Sequence, residues 1–389
     1  MFSRLTSGLH GETNPLYRLR ERIAAEGHQI TDLISGNVTE HGITFPTSIL
    51  EGILARAGRD VRFYRPDPLG QLAARRAIAS YYADQGLAVP ADRILLTPGT
   101  SIAYFYCFKL LANEGDEILC PRPSYPLFEY IAAISGVKMV PYHLDETRGW
   151  GLDPDRMESQ ISTRTRAIVL ISPHNPTGHV ASAEELRGVA EVAGRHSLAV
   201  ISDEVFSEFP IVAQSVPRLA ATTAPLVLTL NGFSKMFALP GIKLGWMAIT
   251  GEEALACEAM RSLELISDTF LPVNELVQAA VPAVFSEGRD FLETYKQEIR
   301  LRWAAARSFL AGAADCRFVD PGGGFYVTLD IGETNEEQAA ETILAESHIL
   351  VHPGHFYDIR PEHLVISFVQ EADTIRSALP AVLKAIGRE

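Results

Sequence analysis

Residues 230–246 read LNGFSKMFALPGIKLGW. Lys235 stands there among Phe233, Met236, Phe237, Ala238 and Leu239, with no carboxylate within five residues on either side. Lysine is scarce in this chain: six of the 34 basic residues, at positions 109, 138, 235, 243, 296 and 384. Two states fit such a residue. A surface lysine lays its stem along an apolar wall and keeps its ammonium in water. A buried one is desolvated, which lowers its pKa and leaves a nucleophilic amine able to form a Schiff base. Three other groups could join the buried one. Asn175 lies in the turn SPHNPTG, Asp203 and Glu204 follow the apolar run LAVIS, and Gly99, Thr100 and Ser101 follow RILLTP. The last of these opens a helix, whose free N–H groups and dipole favour a phosphate. Each also has an ordinary reading: a proline turn, a helix cap, a glycine turn.

The surrounding pattern decides how such residues are placed. RILLTPG (93–99) reads as a strand running into a helix near Ser101, and DEILCP (116–121) as a second strand. YPLFEYIAAIS (125–135) reads as a helix and KMVPYHL (138–144) as a strand. RAIVLIS (166–172) and LAVISD (198–203) are nearly continuous β-branched runs, the pattern of strands buried on both faces. Between them Ser182 and Glu185 are spaced as a capping box, which predicts a helix through SAEELRGVAEVAGRHS. PLVLTLNG (225–232) and KLGWMAIT (243–250) add two strands. Short buried strands alternating with helices predict an open, mostly parallel α/β sheet, whose ligands bind at the carboxyl ends of the strands. Asn175, Asp203, Ser101 and Lys235 all fall at such ends.

From about residue 252 the texture changes to long helical stretches (254–266, 273–286, 291–312). A second α/β set follows: FYVTLDI, a helix through EEQAAETILAES, ILVHPG, HLVISFV, and a last helix DTIRSALPAVLKAIG. The expected organisation is an N-terminal arm (1–45) serving the small domain or a partner subunit, a large sheet domain (46–285) and a small C-terminal domain (286–389). An apolar fraction of 47% is ordinary for a soluble globular protein. No apolar run reaches the roughly 18 residues needed to span a bilayer, and MFSRLTSGLHGETNP lacks the apolar centre of a signal peptide. Four scattered cysteines, without a CxxC pair, fit a reducing compartment. A net charge of −14 argues against nucleic-acid and membrane partners. A cytoplasmic enzyme is the expectation.

The combination SPHNPTG…SDEVF…FSKMFALPGIKLGW resembles the pyridoxal-5′-phosphate enzymes of the class I/II aminotransferase family, fold type I, over essentially the whole chain. The resemblance implies a seven-stranded type of sheet in the large domain and a homodimer with sites at the interface. It implies that Lys235 forms the internal aldimine and then shuttles the proton between Cα and C4′. Asp203 would pair with the pyridinium nitrogen and keep the ring an electron sink. Asn175 would donate to the ring 3′-oxygen, and Tyr125 would stack on the ring face. Thr100, Ser101 and Ser234 fall where the family binds the phosphate, and Lys243 where it has a phosphate-binding arginine. Tyr64 matches the tyrosine that reaches the neighbouring subunit's phosphate. Gly36 and Arg360 are the expected substrate contacts.

Three departures from the family pattern stand out. Lys243 puts a point charge where a planar guanidinium is usual. Phe206, three residues after Asp203, occupies the place of a tyrosine that donates to the 3′-oxygen. Val365, in HLVISFV, stands where an arginine usually clamps the substrate α-carboxylate. Arg360, Arg122, Arg18 and Arg22 are the candidates for a relocated clamp; otherwise the substrate is held in another pose. The implied reaction moves an amino group from a small amino donor to a 2-oxo acid or aldehyde. A lyase, cyclase or decarboxylating enzyme on a specialised amino acid is the alternative, and a non-catalytic cofactor-binding protein the third.

Overall fold

The computed structural model describes residues 14–313, 316–360 and 362–387. In chain order its strands are β1 (Thr31–Asp32), β2 (Ile94–Thr97), β3 (Glu117–Arg122), β4 (Lys138–His143), β5 (Thr165–Ile171), β6 (Ala199–Asp203) and β7 (Leu226–Gly232). They continue as β8 (Gly245–Gly251), β9 (Arg317–Phe318), β10 (Tyr326–Asp330), β11 (Ile349–Leu350), β12 (His352–Pro353) and β13 (His363–Ser367).

Seven of these form one sheet in the order β2-β8-β7-β6-β5-β3-β4. Pairing is parallel from β4 through β7, and β8 runs antiparallel between β7 and β2. The β-branched runs form the middle of the sheet because both their faces are covered. Ile168, Leu170, Val200 and Val227 face one apolar core, whereas Ala167, Val169, Ile201 and Leu228 face another. The period of two along each strand is what assigns a residue to one core or the other. The expected capping box forms: Ser182 accepts from the Glu185 N–H, Glu185 accepts from the Ser182 N–H, and the helix Ala183–His196 follows.

Helices Glu253–Phe270, Glu275–Glu287 and Arg289–Leu310 lead to a four-stranded antiparallel sheet, β12-β13-β10-β9. Helix Ala372–Ile386 packs on Arg289–Leu310. The arm returns to this C-terminal part. Helix Pro15–Ala25, capped by the Asn14 side chain, packs on helix Glu336–Ser347, and β1 pairs in parallel with β11. That pairing brings the segment after β1 to the carboxyl edge of the large sheet. The signal-peptide expectation falls on residues 1–15, of which 1–13 lie outside the described ones. No described helix is long and apolar enough to cross a membrane.

Candidate active site

Three neighbouring strands deliver chemistry at one edge. β5 ends before the turn that carries Asn175, β6 ends on Asp203, and β7 ends at Gly232, from which the short helix Phe233–Met236 carries Ser234 and Lys235. Helix Thr100–Leu111, opening after Gly99 at a φ of 103°, points its first turn to the same place. One cavity is lined by Thr100, Ser101, Tyr125, Asn175 and Asp203, and equally by Phe206, Ser234 and Lys235.

Lys235 takes the second state: the residue is half-buried, with its amine turned into the cavity. Its Nζ donates to the carbonyl oxygen of Gly36 at 3.1 Å and lies 5.7 Å from the Phe206 ring centroid and 5.9 Å from that of Phe325. Desolvation pushes its pKa down to about 8. Gly36 is a close neighbour for a steric reason. A Cβ there would run into the Tyr326 hydroxyl and sit 3.3 Å from Lys235 Nζ.

Asp203 shows the opposite shift, up to about 6, because burial disfavours its charge and the adjacent Glu204 repels it. Two hydrogen bonds oppose that rise: Tyr104 donates its hydroxyl to Oδ2 at 2.8 Å, and the Val205 N–H donates to Oδ1 at 3.1 Å. No described cation pairs with Asp203 in return. Asn175 keeps a buried side-chain oxygen in no hydrogen bond. A buried carboxylate with no described counter-charge, an amide whose oxygen has no hydrogen-bond partner and a desolvated amine share one cavity with hydroxyls at a helix start. That donor set fits a phosphorylated heterocyclic aldehyde with a protonated ring nitrogen.

Other expected residues lie elsewhere. Tyr64 is 80% exposed and Lys243 is exposed at the end of the turn Pro240–Ile242; neither lines the cavity. The expectation for Arg360 as a substrate contact is corrected. Its guanidinium pairs with Glu146 at 2.7 Å and reaches Asp330 at 3.7 Å, in a separate groove beside Trp150. Those carboxylates already satisfy its charge. Arg122 is likewise held, by Glu129 at 3.2 Å and by Asp358. Arg18 and Arg22 are exposed on the arm helix. Val365 is fully buried on β13, opposite Thr328 and His352. Among the described lining residues Lys235 is the one cationic side chain.

Tyr104 and Tyr326 are the polar lining residues that sequence reasoning missed. Tyr104 carried a usable signal, since it lies four residues after Thr100 on the same helix and so on the same face. Tyr326 follows a three-glycine turn in the C-terminal part and reaches the cavity only through the packing of that part.

Comparison with known proteins gives a consistent outcome. Residues 29–382 match the family described as aminotransferase class I and II. A glutamate–pyruvate aminotransferase of Escherichia coli is 28% identical over 388 residues, 97% of this chain and 95% of that protein. An alanine aminotransferase of Mycobacterium tuberculosis is 33% identical over 288 residues, 72% of this chain and 65% of that protein. The solved structure of an aminotransferase from Escherichia coli superposes with a TM-score of 0.89 at 26% identity, covering 99% of this chain and 98% of that one.

Proposed function

Because the chain belongs to the class I and II aminotransferase family, we propose that Lys235 carries pyridoxal 5′-phosphate and moves an amino group between an amino compound and a 2-oxo acid. The observation that supports this most directly is the pair of opposed residues in one cavity: an amine lowered to about 8 and a carboxylate raised to about 6. The bound cofactor supplies an aldehyde for the substrate amine and a ring that takes up electrons from the substrate carbon.

The chain's own residues would do the rest. Lys235 is the covalent anchor and, once released, the base that moves the proton at the substrate's α-carbon. Phe206 and Phe325 keep water from its Nζ. Asp203, held by Tyr104 and the Val205 N–H, keeps the ring nitrogen protonated. Asn175 donates to the ring oxygen and Tyr125 packs against the ring. Thr100, Ser101 and Ser234 would bind the phosphate, and Lys243, outside the cavity lining, is the remaining candidate for a charge near it. Tyr64 would complete the phosphate site of a second copy, which makes the working unit a homodimer, placed in the cytoplasm. The division into an arm (1–45), a large domain (46–285) and a small domain (286–389) is part of the same reading.

The names of the relatives favour transfer over elimination, cyclisation or decarboxylation. They also make glutamate, alanine and pyruvate the first compounds to test. The lining favours a donor whose recognition does not depend on an α-carboxylate, since Lys235 is the single cationic group among the described lining residues. A half-reaction tests the class of chemistry: an amino donor added to the yellow protein should leave the pyridoxamine form. Release of ammonia with return of the original spectrum would reject transfer.

A further inference from the structure

Behind Asp203 the fold buries a second acidic residue. Glu204 is 2% exposed and accepts from Ser202 Oγ at 3.2 Å, while its other oxygen pairs with the Arg218 guanidinium. Arg218 is 9% exposed, donates to the Tyr81 hydroxyl at 3.2 Å and to the Gln85 amide oxygen, and reaches Glu208 at 3.6 Å. Lys296, on the helix Arg289–Leu310, closes the set at 2.8 Å from Glu208. Glu204, Arg218, Glu208 and Lys296 thus form one chain of ion pairs, which Glu293, 3.0 Å from Lys296, extends to the surface. None of them lines the cavity. Glu204 nevertheless adjoins Asp203 in the chain, and its charge acts on the Asp203 carboxylate.

A buried charge is tolerated when paired and costly when its partner is removed. Glu204 without Arg218 would place a second uncompensated anion beside a carboxylate that already lacks a counter-charge. We propose that Arg218 is a positioning residue for the reaction: by neutralising Glu204 it sets the electrostatic potential at Asp203, and through that carboxylate the charge state of the cofactor it would hold. The inference rests on the cofactor reading above. Two charges separated by one residue's width in a half-dry setting shift each other's titration by roughly 1 pH unit.

The signs distinguish this role from a purely structural one. Removing a cation makes the cavity more negative and stabilises the protonated Lys235 nitrogen; removing an anion does the reverse. The measurement is the pH midpoint at which the visible band of the cofactor-loaded protein changes. Arg218→Met should move it upward by roughly 1 unit, and Glu204→Gln downward by a similar amount. The double variant Glu204→Gln/Arg218→Met and the charge-conserving Arg218→Lys should both titrate like the parent. Glu204→Gln is nearly isosteric, so the test stands even if Arg218→Met does not accumulate. Shifts of the same sign in both single variants, or no shift in Glu204→Gln, would overturn the proposal while leaving the cofactor reading intact. A parent protein that forms no visible band with pyridoxal phosphate would overturn both.

Discussion

Lys235 and Gly36 meet across 199 residues of chain: the lysine Nζ donates to the glycine carbonyl oxygen at 3.1 Å. One comes from the short helix after β7 and the other from the arm segment after β1. The contact ties the arm to the large sheet at this amine, with which no described acidic residue pairs. Lys235→Ala should therefore abolish turnover and covalent attachment of the cofactor. Borohydride reduction and peptide mapping check the assignment; a label on any other lysine would reject it.

The same contact leaves no space for a side chain at position 36. Gly36→Ala should drive its new methyl into the Tyr326 hydroxyl and against Lys235 Nζ. A displaced amine loses near-attack geometry, so kcat/KM should fall about tenfold or more. Adding Tyr326→Phe removes the colliding oxygen and should restore part of the loss. Steady-state kinetics of the single and double variants read the effect.

Asp203 gives a pH-dependent prediction. Its folded carboxyl titrates at about 6, above the roughly 3.9 of an unfolded chain. Between those values the folded state binds the extra proton, so stability falls as pH rises from about 4 to about 6 and stays lowered above. Cofactor-free Asp203→Asn should thus be more stable than the parent at pH 7.5, by up to about 3 kcal/mol. The two should converge near pH 4. Denaturant unfolding of the cofactor-free proteins across this range measures it, and the loaded variant should be strongly impaired in turnover.

Phe206 lies 5.7 Å from Lys235 Nζ and packs edge-on against Phe325 at 4.9 Å between centroids. Phe206→Tyr adds a hydroxyl in that wall. A donor to the anionic ring oxygen favours the unprotonated lysine–cofactor nitrogen, so the spectral midpoint should move to lower pH. A midpoint equal to the parent's would mean that another group already donates there.

The lining predicts weak discrimination for a carboxylate. A buried guanidinium–carboxylate pair contributes about 3 kcal/mol, or roughly a hundredfold in kcat/KM. With Lys235 as the one cationic side chain among the described lining residues, alanine and alaninamide should react within about tenfold of each other. A hundredfold preference for alanine in single-turnover kinetics would show that an arginine enters the site in the working assembly.

Much of the frame was legible because it depends on local order. The β-branched runs that became β5 and β6 are buried on both faces, and Ser182 with Glu185 forms the helix start their spacing announced. Asn175, Asp203 and Lys235 stand at the ends of successive apolar runs, so the alternation of strands and helices alone directs them to one sheet edge. Tertiary structure decided the rest, because contact, burial and charge balance are properties of space. The residues flanking Lys235 fit a surface lysine as well as a desolvated one, and the resemblance pointed to the second; the structure sets its amine beside the rings of Phe206 and Phe325. Sequence reasoning offered Arg360 as a substrate contact, and the carboxylates of Glu146 and Asp330 claimed that side chain instead. Arg218 stands 14 residues from Glu204 in the chain with nothing in its neighbours to mark it. The fold alone buries the two together, and in that low-dielectric setting the pairing acquires its consequence.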